Sequence, residues 1–384
     1  MPGATLPQDI SAKEYTSEQR AIAEVAFALG ERYAARAFDD HEASMAQWSD
    51  LCDTGMTALS IPSEYGGDGG IFELCILSER LAAGGYPAAK LVIATAIAGS
   101  IIARNGSPEQ RERWLPSIAA GQTKFCFALT EPGAGSNTRK LRTHALRRGD
   151  RWRIAGEKTF ISALESSDAM LAVARDRDSG KLLLFALPLP NDRVTVQRVA
   201  VEAPAFEHQW SVFFDELELS DDDLIGGAHG GEKALFDGLN PERLVVAAQS
   251  VGVGRWCLGQ ASEYARQREV FDVPIGAHQA VQHPLAEAYI QIEGAWALTV
   301  RAAQRYDAGE QAGLESNVAK IAACDAGLFA ADRALQTFGG AGYTTDTGML
   351  QRFTYMRLLR SIPVAREIAL NHVARSALRL PRSY

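Results

Sequence analysis

Cysteine is scarce and unpaired in this chain of 384 residues: Cys52, Cys75, Cys126, Cys257 and Cys324 are odd in number, widely spaced and never in a CxxC pair. That pattern argues against a disulfide framework or a CxxC redox or zinc motif, and a reducing, cytoplasmic setting is expected. Four of the five sit among apolar neighbours, where a free cysteine behaves as a small hydrophobe. The seven histidines show no HxxxH or HExxH spacing, so no metal site is expected from the order of residues. Basic clusters are missing too, and the formal net charge of −8 disfavours nucleic-acid and anionic-membrane partners, which recruit basic patches. No apolar run approaches the ~20 residues that span a bilayer. The opening segment, Met1 to Ile10, has neither the charged start nor the apolar stretch of a secretory signal. Repeats and low-complexity segments are absent.

What is present is ordinary for a soluble globular protein: 47% hydrophobic and 22% charged residues. The length exceeds what one core usually serves, so two or three regions are expected. Residues 1–122 read as an N-terminal α-helical domain. Ser17 is the expected cap of a helix from Glu18 to about Phe38, with Ile22, Val25, Ala26 and Leu29 on one face. Further helical runs surround Trp48, Leu51 and Met56, then cover Phe72 to Ala83, Ala88 to Arg104, and a stretch opened by Ser107-Pro108. From residue 123 to 226 the pattern changes to short strand-like runs separated by Gly, Pro and Asp turns, with no helices between them. An antiparallel β domain is expected. Residues 227–384 return to helix: Arg243 to Arg268, Gln279 to Arg305, Ser316 to Phe338 and Leu350 to Arg360 are long enough for a four-helix bundle. The fold class is α+β, in the order helices, strands, helices. Gly252-Val-Gly254 resembles a fragment of a dinucleotide loop, but it lies mid-helix with no strand before it and is discarded.

Four motifs carry the chemistry. Thr130-Glu-Pro-Gly-Ala-Gly-Ser136 is a polar turn rich in backbone N–H groups, able to cradle an anion or a ring edge. Gly156-Glu-Lys-Thr-Phe-Ile-Ser162 follows, then Arg268-Glu-Val-Phe-Asp-Val-Pro-Ile-Gly-Ala-His-Gln279, then Gln336-Thr-Phe-Gly-Gly-Ala-Gly-Tyr343. In this order they resemble the acyl-CoA dehydrogenase family of flavoproteins, from about Ser17 to the C-terminus. The resemblance implies bound FAD. The backbone of 127–130, including Phe127 and Leu129, together with Thr130 would meet the pyrimidine edge of the flavin, and Ser136 its phosphates or the substrate's carrier arm. Phe160 and Ser162 would flank the ring. Arg268 and Phe271 would meet the pyrophosphate and adenine, with Gln279 closing that stretch. Gln336, Gly339 and Gly340 would come from a neighbouring subunit of a tetramer. Physical reasons match these roles: a guanidinium offers two parallel donors to a diphosphate, and a Gly pair lets backbone approach a bulky ligand. Taken singly, Arg268 could be a solvated helix-end cation, Phe160 a core aromatic, and Gly339-Gly340 a helix stop.

The family reaction takes the α-proton of an acyl thioester on a carboxylate while a hydride leaves Cβ for flavin N5. The commonest family position for that Glu falls here on Pro363, 23 residues beyond Gly340. A second position, like that of isovaleryl-CoA dehydrogenase, lies in a Glu-Arg-Leu-Val sequence and falls on Glu242, with Arg243 beside it as a contact for the carrier arm. Asn240-Pro241-Glu242 also reads as a helix start, where an acid is favoured without any catalysis. Pro363 has no N–H to polarise the thioester carbonyl, a loss worth about 3 kcal/mol for one such donor; Val364 could donate one residue on. Asn137 replaces the usual Asp, Ala365-Arg366 the usual Thr-Ser, and Thr354-Tyr355 the usual Arg-Asp. Three functions are therefore open: a dehydrogenase of acyl-CoA or acyl-carrier-protein thioesters using Glu242, a flavin-dependent monooxygenase on the same fold, and a non-catalytic subunit of a hetero-oligomeric dehydrogenase. For the first, the resemblance implies an electron-transfer flavoprotein as acceptor and a homotetramer or heterotetramer as assembly.

Overall fold

The computed structural model describes residues 15–36, 38, 40–202 and 207–383, so the Met1–Ile10 segment lies outside the described residues. The first helix, α1, spans Ser17–Tyr33. Its cap is Thr16 and not Ser17: the Thr16 hydroxyl accepts the Gln19 N–H at 3.2 Å, and Gln19 Oε1 accepts the Thr16 N–H at 3.1 Å. The reciprocal pair satisfies two otherwise orphaned donors. Helices α2 (His41–Asp53) and α3 (Ile71–Gly84) follow. A π-type stretch, Leu91–Gly99, then runs into α4 (Ser100–Asn105), and α5 (Pro108–Ala119) is capped by Ser107 with proline in its first turn.

The middle of the chain forms one eight-stranded sheet: β1 (Phe125–Ala128), β2 (His144–Arg148), β3 (Arg151–Ser162), β4 (Ala169–Asp176), β5 (Leu182–Pro188), β6 (Val194–Val199), β7 (Gln209–Ser220) and β8 (Leu224–Ile225). The order is β6-β7-β3-β2-β4-β5-β8, with β1 beside β4. Most pairings are antiparallel as expected, while β1 and β2 each run parallel to β4. Alternation along the central strands builds two cores. Phe125, Leu171, Val173, Leu184 and Ala186 face Ile101, Trp114, Leu115 and other helical side chains. Cys126, Met170, Ala172, Phe185 and Leu187 face the opposite way, toward Trp152 and Phe214. That is the two-residue period of a strand buried on both faces.

The rest is helical: α6 (Gly227–Gln267), a small hairpin of β9 (Glu269–Val270) and β10 (Val273–Pro274), then α7 (Gln279–Asp307), α8 (Gly313–Phe338), α9 (Met349–Leu359) and α10 (Arg366–Ser376). Apolar residues of α1 and α3 share one core with α6, α7, α8 and α9, including Leu74, Leu77, Leu244, Val251, Trp296 and Met356. Small residues permit this: a Cβ on Gly252 would lie 2.2 Å from the Glu79 carbonyl oxygen of α3, too close for any side chain. Gly252 thus serves helix packing.

The expected start of α6 near Arg243 is corrected by the structure, since the helix begins at Gly227 and carries Pro241 inside it. Proline 241 lacks the N–H that would bond the Asp237 carbonyl four residues back. The Tyr306 hydroxyl of α7 donates to that carbonyl instead, at 3.3 Å. No helix of the described residues is long and apolar enough to cross a membrane.

Candidate functional site

The Thr130–Ser136 turn begins where β1 ends and is closed by reciprocal backbone hydrogen bonds between Glu131 and Ala134, at 3.2 and 3.0 Å. What ties it to the sheet is a pair that the motif reading passed over. The buried Glu131 carboxylate accepts the Arg142 N–H at 2.6 Å, the Thr143 N–H at 3.0 Å and the Lys158 ammonium at 2.9 Å. Lys158 is wholly buried and also donates to the Leu129 carbonyl at 3.0 Å. Burial pulls its pKa down to about 8 against the opposing pull of Glu131. For Glu131, burial works against ionisation, but the Arg142 N–H and Lys158 outweigh it and hold the carboxyl below its ordinary value. One further bond, Thr159 N–H to the Thr130 carbonyl at 2.9 Å, completes the seam. The available signal for the pair was the acid Glu131 in one motif and the base Lys158 in the other.

The seam brings two sequence motifs together. Phe127, Leu129 and Thr130 are half-buried at its edge, and Ser136 is exposed on the turn. Asn137 turns its carboxamide oxygen to the Arg139 N–H at 3.2 Å. On β3 the register slips between Lys158 and Ile161, and Phe160 sits in this bulge with φ of 57°. Left-handed backbone is costly for a phenylalanine, and here it turns the ring outward, 59% exposed. The core-aromatic reading of Phe160 is thereby excluded. Ser162 is half-buried and donates to Gln209 Oε1 at 3.0 Å.

A second group gathers at one end of the helical bundle. Arg268 ends α6 and its N–H bonds the Tyr264 carbonyl at 2.8 Å. Its side chain is exposed and makes no ion pair among the described residues. Phe271 and Asp272 form the hairpin turn with φ of 56° and 63°, which holds the Phe271 ring 86% exposed. Gln279 opens α7 and is exposed. The Tyr264 and Phe338 rings stack at 4.4 Å, joining the ends of α6 and α8. Beyond Phe338, Gly339 turns with φ of 57°, and Gln336, Gly339 and Gly340 are exposed. No hydrogen bond among the described residues links this group to the sheet turn.

Glu242 and Arg243 form a third group, deep between α6 and α8. Because α6 runs unbroken through them, the helix-start reading of Asn240-Pro241-Glu242 is overturned. Glu242 is buried and its Oε2 has no hydrogen-bond partner among the described residues. Burial pushes its pKa up to about 7, moderated by the charges of Arg243 and Lys320. Arg243 Nη1 donates to Asn240 Oδ1 at 2.9 Å while its buried Nε has no partner. Lys320, missed in the sequence, donates to the Val364 carbonyl at 2.8 Å and the Arg360 carbonyl at 3.4 Å, fixing the backbone around Pro363. Thus Glu242 and the Pro363–Val364 peptides, remote in sequence, belong to one neighbourhood through Lys320.

The donor set suits a dinucleotide flavin: exposed aromatic faces at Phe160 and Phe271, an unpaired guanidinium at Arg268 and a hydroxyl-bearing turn. The comparisons agree. Family models described as acyl-CoA dehydrogenase N-terminal, middle and C-terminal domains match residues 16–122, 126–215 and 229–378. The acyl-CoA dehydrogenase FadE12 of Mycobacterium tuberculosis is 40% identical over 382 residues, 98% of each chain. The mitochondrial short-chain specific acyl-CoA dehydrogenase of Homo sapiens is 28% identical over 91% of this chain and 86% of its own. Among solved structures, butyryl-CoA dehydrogenase from Megasphaera elsdenii superposes with a TM-score of 0.88, covering 95% of this chain and 99% of its own at 24% identity. That last likeness speaks for the fold.

Proposed function

Since the chain belongs to the acyl-CoA dehydrogenase family, the FAD-dependent oxidoreductases acting on acyl-CoA, we propose that it converts an acyl-CoA into the trans-2-enoyl thioester with Glu242 as base. The observation that carries this reading is a buried carboxyl with an unpartnered oxygen and a pKa raised to about 7. Such a group holds or releases a proton near neutrality, as a general base must. Bound FAD supplies the two-electron acceptor for the hydride lost from Cβ. Phe127, Leu129, Thr130, Ser136, Phe160 and Ser162 would hold its ring end, and Arg268, Phe271, Gln279, Gln336, Gly339 and Gly340 its diphosphate and adenosine end.

The thioester carbonyl needs a donor that Pro363 cannot provide. The Val364 N–H fills that role in this reading, because Lys320 grips the Val364 carbonyl at 2.8 Å and the Arg360 carbonyl at 3.4 Å and so anchors the backbone on which that N–H sits. Arg243, with its Nε unpartnered, holds the carrier arm together with Ser136. The enzyme works in the cytoplasm as a homotetramer and passes electrons to an electron-transfer flavoprotein. Neither a monooxygenase nor a non-catalytic subunit requires a carboxyl of this kind at Glu242.

Anaerobic titration of the FAD-loaded protein with a panel of acyl-CoAs tests the proposal. Bleaching of the oxidised flavin band at stoichiometric thioester is expected. A band that persists with every thioester would remove the dehydrogenase reading.

A further inference from the structure

Beside the β3 end of the sheet group, where Gln209 links the Ser162 hydroxyl to the Glu207 carbonyl, four side chains from three separate segments converge where α2 meets the sheet. His41 is the first residue of α2, Glu165 lies just beyond β3, and Glu207 and His208 immediately precede β7. One ligand atom from each of His41, Glu165 and Glu207 lies within 4.8 Å of the other two. Around the Glu165 carboxylate, His208 Nδ1 stands 2.7 Å from Oε1 and 2.9 Å from Oε2, and His41 Nδ1 stands 3.2 Å from Oε1. The two imidazole rings are stacked, 5.8 Å apart and 11° from parallel.

Glu207 is the telling member. It is 3% exposed, and its Oε1 already accepts Ser44 Oγ at 2.6 Å and Lys90 Nζ at 2.9 Å. Its Oε2 is buried with no hydrogen-bond partner among the described residues, while His41 Nδ1 meets only the Glu165 carboxylate, at 3.2 Å. A buried carboxylate oxygen left bare beside a histidine and a second carboxylate is costly unless something binds there. Lys90 answers only the first of the carboxylate oxygens.

We infer that His41, Glu165 and Glu207 form a binding site for one divalent cation of the zinc class, joining α2 to the edge of the β sheet, with His208 orienting the Glu165 carboxylate from behind. One imidazole nitrogen and two carboxylates, with water in the fourth position, are donors that a borderline cation takes in four-coordinate geometry. Ligand atoms around zinc sit about 2.0–2.2 Å from the metal, hence about 3.3 Å from one another. The present spread, up to 4.8 Å, contracts to that value if the His41 and Glu165 side chains move inward. No spacing motif announces the site, because its ligands come from positions 41, 165 and 207.

Equilibrium dialysis of chelator-treated, FAD-loaded protein against Zn²⁺, with Co²⁺ absorption as a geometric probe, tests the site. One tightly held equivalent is expected, with the intense visible bands of four-coordinate Co²⁺ and a higher Tm on metal addition. His208→Ala and Glu165→Gln, both on surface-accessible side chains, are expected to weaken binding at least tenfold and to abolish the Tm rise. Failure of the wild-type protein to bind Zn²⁺ would overturn the inference, and so would binding that both variants leave unchanged. Because the readouts are stoichiometry, absorption and Tm, they stand apart from acyl-CoA turnover.

Discussion

At the scale of single residues, the most consequential group is Glu242. A base acts only when deprotonated, so with its pKa raised to about 7 the rate of thioester-dependent flavin reduction is expected to rise through that pH. Glu242→Gln is expected to lower that rate by about 10²–10⁴-fold with FAD still bound. Rapid-mixing absorption across pH 6–9, a range chosen as about a unit or two around that pKa, would expose an error; full rate in the Gln variant, or a rate flat with pH, would reject Glu242 as base. The same shift makes a stability statement with a definite sign. The folded-state pKa lies above the ordinary value of 4.5. Stability is therefore fully present below about 4.5 and is lost as pH rises through about 7, because the folded protein holds a proton that the unfolded chain releases. The loss is on the order of 3 kcal/mol at alkaline pH. Glu242→Gln removes that charge, so its Tm is expected to exceed that of the wild type at pH above about 7 and to match it in mild acid. An equal Tm difference at both pH values would place the carboxyl in a more polar setting than its burial implies.

At the scale of elements, two local devices hold the site. The first is the Glu131–Lys158 pair that seams the Thr130–Ser136 turn to β3. Breaking a buried pair strands the other charge, typically at about 3–5 kcal/mol. Lys158→Met is expected to lower Tm accordingly and to loosen FAD, measured as a raised dissociation constant. Unaltered FAD affinity would show that the turn keeps its shape without the lysine. The second device is Pro241 with its substitute donor. Tyr306→Phe should cost about 1 kcal/mol by orphaning the Asp237 carbonyl, and the cost should shrink in a Pro241→Ala background where a backbone N–H returns. Additive effects in that cycle would mean the hydroxyl compensates for nothing. These devices also mark where sequence reading ran out. The β region from 123 to 226 and helices α5 and α7 were legible because turn residues between short runs, a capping serine or a 3.6-residue period is local information. The first half of α6 was not: Pro241 reads as a start when the hydroxyl that lets the helix pass through it is 65 residues away, on Tyr306. The short β2, the buried β4 and the last helix α10 carried no pattern that was picked out in advance. Phe160 was placed by motif, but its outward ring depends on a bulge visible only once β3 pairs with β7.

At the scale of the whole molecule, the site residues fall into groups that no hydrogen bond joins among the described residues, and the helical bundle presents a face suited to a second copy. On α7, Ile290 is 69% exposed and Leu298 is 38% exposed, with exposed Gly294 and Ala297 between them. Positions four apart share one helix face, and a Cβ on Gly294 would meet nothing within 4 Å. A stripe of large and small apolar residues open to solvent is what helix-on-helix docking between subunits uses. In the proposed homotetramer this face is covered, and the Arg268, Phe271, Gln336 and Gly339-Gly340 surface of one subunit completes the flavin site begun by the sheet turn of another. Ile290→Glu places a charge on that stripe without touching any proposed flavin contact. Its expected outcome is a smaller particle by light scattering, accompanied by a fall in bound FAD per chain that high protein concentration reverses by mass action. A smaller particle that keeps its full FAD would mean each chain holds the flavin alone, with the two groups closing on one another in the bound state. An unchanged particle would mean the α7 face lies outside the assembly contact, and the search for it would move to the exposed Leu350 and Ile362 near α9.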